Sequence, residues 1–104
     1  MTDTEQTIID TVPASGAVAL ELRSTNRKAW TVKQVGIRAP NVGGGAIGNI
    51  TKNGLIITPF VPYGDAPAGE PFITLRPGDV MATEWTSAAV GATVEATYFY
   101  DDGT

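Results

Sequence analysis

Leu75-Arg76-Pro77-Gly78-Asp79, followed by the strand-like runs 80–86 and 93–100, carries the grammar of the whole chain: turn, strand, loop, strand. Proline sets φ for the second position of a turn, and glycine supplies the positive φ that a type II turn needs next. The β-branched and aromatic residues that follow suit a pleated, half-buried surface. The two runs therefore read as a ladder from a sheet edge into a core. Working outward, apolar residues alternate through 6–12, 17–23, 29–38, 46–52, 55–60, 71–75, 80–86 and 93–100, about eight short strands. The expected fold is all-β, an antiparallel two-sheet β-sandwich of jelly-roll type.

Individual runs sharpen this expectation. Val18, Leu20 and Leu22 point one way while Ala17, Ala19, Glu21 and Arg23 point the other, the alternation of an antiparallel sheet with one wet face. Trp30 and Val32 share one parity, but Val35 and Ile37 have the other. The third strand therefore carries a bulge near Lys33-Gln34 or passes between sheets. Asn53-Gly54, between Ile50-Thr51-Lys52 and Leu55-Ile56-Ile57, is the signature of a two-residue type I′ hairpin. The expected core is Val18, Leu20, Leu22, Trp30, Val32, Ile57, Leu75, Trp85, Val94, Ala96 and Tyr98. Residues 40–45 and 62–71 read as loops, the second a long surface excursion restrained by prolines.

Length and composition bound the function. The 104 residues make one domain, 1–104, in which the polar stretch 1–6 is expected to be a flexible N-terminal arm. Charged residues are only 17% of the chain, so Thr, Ser, Asn, Gly and Ala must cover much of the surface. A net charge of -4, with acids near both ends, argues against a nucleic-acid partner. Residues Met1 to Gln6 are polar and acidic where a signal peptide would be basic and then apolar, so none is expected, and no stretch approaches the roughly 20 apolar residues of a membrane span. The reading is a protein made in the cytoplasm, with no membrane partner.

The chain has no histidine and no cysteine, so the residues that most often run acid-base, thiol and transition-metal chemistry are missing. Ser15, Ser24 and Ser87 have no imidazole to activate them. Asp79, Glu84 and Glu95 are the carboxylates that could pair for glycoside hydrolysis, although Glu84 and Glu95 alternate against Trp85 and Val94 as outer-face residues do. Asp65 and Glu70, with Asp79 or Asp101-Asp102, could offer oxygen to calcium, but their spacing matches no calcium loop. Gly43-Gly44-Gly45 lacks the lysine and the helix of a phosphate cradle. No catalytic residue, cofactor or metal is expected, and the protein is read as a non-enzyme. Trp30 and Trp85 suit core packing better than a sugar platform. Tyr63, in the long loop beside Pro62 and close to Phe60, suits an interface anchor and ordinary loop packing equally. Phe60, Pro62, Tyr63, Asp65 and Pro67 are the candidate contact residues.

Several segments in order resemble one group of proteins. These are Trp30-Thr31-Val32-Lys33-Gln34-Val35, Thr51-Lys52-Asn53-Gly54, Pro59-Phe60-Val61-Pro62-Tyr63-Gly64-Asp65-Ala66 with Gly69-Glu70-Pro71, Leu75-Arg76-Pro77-Gly78-Asp79, Glu84-Trp85-Thr86 and Tyr98-Phe99-Tyr100-Asp101-Asp102-Gly103. Together they are similar to small β-sandwich proteins encoded among the virion structural genes of tailed phages of actinobacteria. The likeness covers about the last three quarters of the chain. It implies a structural subunit of the particle and transfers no active residues. The expectation built on it is a capsid decoration protein located in the virion, bound as a homo-oligomer, with the major capsid protein and copies of itself as partners. The alternative is a tail or tail-tip structural or carbohydrate-binding module.

Overall fold

The computed structural model describes residues 3–24, 29–69 and 73–101. Among these the chain forms strands and turns and no helix. The strands are β1 Asp3–Thr11, β2 Val18–Arg23, β3 Trp30–Ala39, β4 Ile47–Lys52, β5 Leu55–Phe60, β6 Gly64–Gly69, β7 Ile73–Leu75, β8 Val80–Thr86 and β9 Thr93–Asp101.

Chain order alone explains much of the architecture. Folded at Asn53-Gly54, the chain pairs with itself outward: β4 with β5, β3 with β6 and β7, β2 with β8, and β1 with β9, every pair antiparallel. Successive pairs go to alternate sheets, and the contacts β3–β9 and β4–β8 close each sheet. The first sheet runs β1-β9-β3-β6, with β7 sharing the outer side of β3; the second runs β2-β8-β4-β5. Taking β6 and β7 as one interrupted edge strand gives two sheets of four, wound as a jelly roll. This is the expected antiparallel two-sheet β-sandwich.

Turn chemistry sets the folding points. Asn53 and Gly54 both have positive φ, 51° and 83°, as a type I′ turn demands. Gly78 has φ 90° after Pro77, and the Asp79 amide donates to the Arg76 carbonyl at 2.9 Å, which makes 76–79 a type II turn. That turn carries the chain from β7 in the first sheet to β8 in the second. The ladder expected from 80–86 to 93–100 is therefore not formed, because β8 and β9 are interior strands of opposite sheets. The two turns dock on each other: the Asn53 side chain donates to Asp79 at 3.1 Å and accepts from the Val80 amide at 3.0 Å.

The core lies between the sheets. Val18, Leu20, Leu22, Trp30, Val32, Leu75, Trp85, Val94, Ala96 and Tyr98 are all buried there, as expected. Ile57 is not. It is the extra residue where the β4–β5 register shifts between Ile50 and Thr51, so it is turned out of the pleat and is 43% exposed. In β3 the change of parity is likewise a bulge, at Lys33, and the strand stays in one sheet. One polar link spans the core. Tyr98 of the first sheet donates its hydroxyl proton to the Leu20 carbonyl of the second, so the Thr83 hydroxyl, 2.7 Å away, donates to Tyr98.

Two stretches read as irregular are strands. The arm expected over 1–6 is paired from Asp3 onward, with Asp3 opposite Asp101 and Gln6 opposite Tyr98; residues 1 and 2 lie outside the described residues. Main-chain pairing with β9 orders a polar sequence that packs little more than Ile8 against the core. The excursion expected over 62–71 contains β6, whose Pro67 is tolerated because β6 is an edge strand.

Candidate interaction surface

Residues directly opposite on paired strands share a face, so the register sorts every candidate. Glu84, next to the inward Trp85, lies on the outer face of the second sheet, where it accepts a 2.7 Å hydrogen bond from Thr51. Glu95, opposite Ile9 and Arg38, lies on the outer face of the first. The whole sandwich separates them, so these two carboxylates do not form a hydrolytic pair. Asp79 is taken up in its turn. The Arg76 amide donates to it at 2.9 Å, Asn53 donates at 3.1 Å and Lys52 stands at 3.7 Å. These interactions, the Arg76 amide foremost, hold its carboxyl below the usual value. Among the described residues no three Asp, Glu, His or Cys side chains come together as a metal site. Of the calcium candidates, Glu70 and Asp102 lie outside the described residues, and only the backbone of Asp65 is described.

Both tryptophans are buried, Trp85 fully and Trp30 at 6% exposure, so neither ring is open for sugar stacking. Trp30 stacks on Tyr100 at 4.6 Å, and Phe60 meets Trp85 edge-to-face at 5.2 Å. The outer face of the first sheet has two shallow hollows of about 230 and 290 Å³, over Glu5, Lys33 and Phe99 and over Ile9, Arg38 and Glu95. They are small and open compared with typical ligand pockets.

The expected contact residues divide. Phe60 belongs to the core: its ring covers Gly48, where an added Cβ would stand 2.6 Å from Phe60 Cζ. This is a correction, and the cause is that Phe60 pairs with Gly48 on the inner face of β5. Pro62 is half-buried, and its carbonyl accepts the Trp85 indole N–H at 2.7 Å. Tyr63 is exposed, at 53%. Asp65 and Pro67 lie in β6, opposite Arg38 and Gly36 of β3.

The dominant surface feature is next to Tyr63. Leu55, Ile56 and Ile57 are 75%, 66% and 43% exposed, and Ile47 and Val61 are 54% and 57% exposed. Ile56 is opposite Thr51 and Pro59 opposite Asn49, both on the outer face of the second sheet. Ile47 and Val61 are the next residues beyond the Gly48–Phe60 pair. Exposed apolar side chains therefore line β5, an edge strand of its sheet among the described residues, with Leu55 (opposite Lys52) and Ile56 (opposite Thr51) on opposite faces. The sequence carries a signal for it. Three successive apolar residues, Leu55-Ile56-Ile57, cannot all face inward from a strand of period two. Large exposed apolar patches mark interaction sites.

No family model matches this chain, and no curated protein matches it. Among solved structures it is similar to dimeric latent PorU from Porphyromonas gingivalis, with 13% identity and a TM-score of 0.34. That match covers 99% of this chain and 14% of the PorU chain. A likeness of this size assigns no function.

Proposed function

We propose that this chain is a non-enzymatic structural protein of a tailed-phage virion, a capsid decoration protein bound to the coat lattice as a homo-oligomer. The observation that carries the reading is the apolar margin of β4 and β5, a surface suited to protein contact and to no chemistry. The resemblance of the sequence to virion structural proteins supplies the setting. Repetition on a symmetric lattice lets modest contacts add up, since each further contact is made at high effective concentration. The burial of Trp30 and Trp85 counts against the carbohydrate-binding alternative.

The test is mechanical. Phage particles lacking the protein should release DNA at a lower temperature than intact particles, and added purified protein should restore the difference. Equal release temperatures with and without the protein would overturn the decoration reading.

A further inference from the structure

We propose that Asn53 is a site of spontaneous deamidation whose rate is governed by the Asp79 turn that holds its side chain, and that its conversion to aspartate or isoaspartate undocks the β4–β5 hairpin from that turn. The proposal does not depend on the phage reading.

Asn53 is the one asparagine of the chain that precedes a glycine. This pair is the reactive one because glycine has no side chain to keep its main-chain nitrogen away from the asparagine amide. Both residues are exposed, and among the described residues no atom lies within 4 Å of where a Gly54 Cβ would stand. In the first step the Gly54 nitrogen loses its proton to solvent and bonds to Asn53 Cγ. The Cγ–Nδ2 bond breaks, and Nδ2 takes up a proton from solvent and leaves as ammonia. Water then opens the succinimide ring at one of its two carbonyls. Cleavage of the new N–Cγ bond gives aspartate, and cleavage of the original peptide C–N bond gives isoaspartate. The sum is asparagine and water converted to an acid and ammonia, with no other reactant.

The fold opposes the first step. Attack needs Cγ presented to the Gly54 nitrogen, yet both polar ends of the side-chain amide are held across the junction by the start of β8 and the turn before it. Nδ2 donates to Asp79 Oδ1 at 3.1 Å, and Oδ1 accepts from the Val80 amide at 3.0 Å. The Asn53 main chain is pinned at the same place, its N–H donating to the Val80 carbonyl at 2.8 Å. Asp79 is itself fixed by the Arg76 amide at 2.9 Å, with Lys52 at 3.7 Å. Its negative charge also works against the anion that forms as the nitrogen attacks. Reaction therefore waits for the side chain to leave this clamp.

The product does not fit back. Aspartate at position 53 has no N–H for Asp79 and sets two carboxylates where an amide met a carboxylate, and like charges so close oppose each other. Isoaspartate adds a methylene to the main chain inside a two-residue turn whose φ values of 51° and 83° fix the register of β4 on β5. Each event is one-way and loosens the junction between the hairpin and the turn at 76–79, so Asn53 records the age of the molecule.

The test follows the purified full chain in warm, mildly alkaline buffer, reading peptide mass and isoaspartate content at Asn53 over time. The folded wild type should convert more slowly than the same chain in urea above its unfolding transition. Asp79→Ala should speed conversion in the folded protein at least about 10-fold, the worth of a hydrogen bond to a charged group. In urea the variant and the wild type should convert alike, because neither has the clamp. Tyr98→Phe, which weakens the core away from this junction, should leave the folded rate unchanged and so separates release of the clamp from global unfolding. Asn53→Asp should lower the urea midpoint, and adding Asp79→Asn should restore it by returning an amide–carboxylate pair to the junction. Equal rates in the fold and in urea, no acceleration by Asp79→Ala, or an equal acceleration by Tyr98→Phe would overturn control by the clamp. An Asn53→Asp midpoint equal to that of the wild type would overturn the undocking.

Discussion

The indole N–H of Trp85 donates to the main-chain carbonyl of Pro62 at 2.7 Å, so the fully buried ring in the core also holds the backbone from which Val61 and Tyr63 project. Core packing and the exposed residues Val61 and Tyr63 are thereby mechanically linked. Trp85→Ala should lower stability by about 3 to 5 kcal/mol through the cavity and the lost donor. Urea melts check this, and a loss below about 1 kcal/mol would contradict the placement of the ring.

Gly48 and Phe60 are the tightest approach in the same region. A Cβ at Gly48 would stand 2.6 to 2.9 Å from three ring atoms of Phe60. Gly48→Ala should cost about 1 to 3 kcal/mol by forcing the ring off its place against Trp85. In a Phe60→Leu background the penalty should shrink, and a double-mutant cycle measures the coupling.

Tyr98 ties the sheets together and gives the fold an alkaline limit. Burial, the largest influence, raises its hydroxyl above the ordinary value of 10.0. The folded state thus holds the proton more tightly than the unfolded chain. Its contribution is complete below about pH 10 and is lost as pH rises beyond that. Tyr98→Phe strands the Thr83 hydroxyl and the Leu20 carbonyl and should cost about 1 to 3 kcal/mol at neutral pH. Stability measured from pH 8 upward should fall less steeply in the variant than in the wild type.

Asp79 sets a smaller acid limit. Its folded carboxyl titrates below its ordinary value of 3.8, so its contribution is present above that value and is lost as pH falls below it. Asp79→Asn should lower stability at pH 7 and flatten the decline below about pH 4, followed by urea midpoints across the acid range.

What the sequence revealed was local or strictly periodic. Asn53-Gly54 and Pro77-Gly78 specify their turns from their own backbone preferences, and the alternation in 18–23 and 93–100 specifies which residues face inward. What it hid depends on distant pairing. β6 contains Gly64, Pro67 and Gly69, poor strand formers that are ordered by β3; the polar start of β1 is ordered by β9. The separation of Glu84 from Glu95 follows from the sheet that each strand joins, which no local pattern records. Alternation alone places Ile57 in the core; a bulge one residue long reverses its parity, and only its partner strand reveals the bulge. The exposed apolar run is legible in Leu55-Ile56-Ile57, whereas the position of Phe60 beside the proline-rich loop conceals that it is a core residue.

Labelled antibody against the protein, imaged on intact particles by electron microscopy, tests the proposed place of this sandwich as a repeated protein contact on a phage head. Label distributed over the head surface in many copies per particle is the expected result. Label confined to the tail or its tip, or absent from particles altogether, would contradict it.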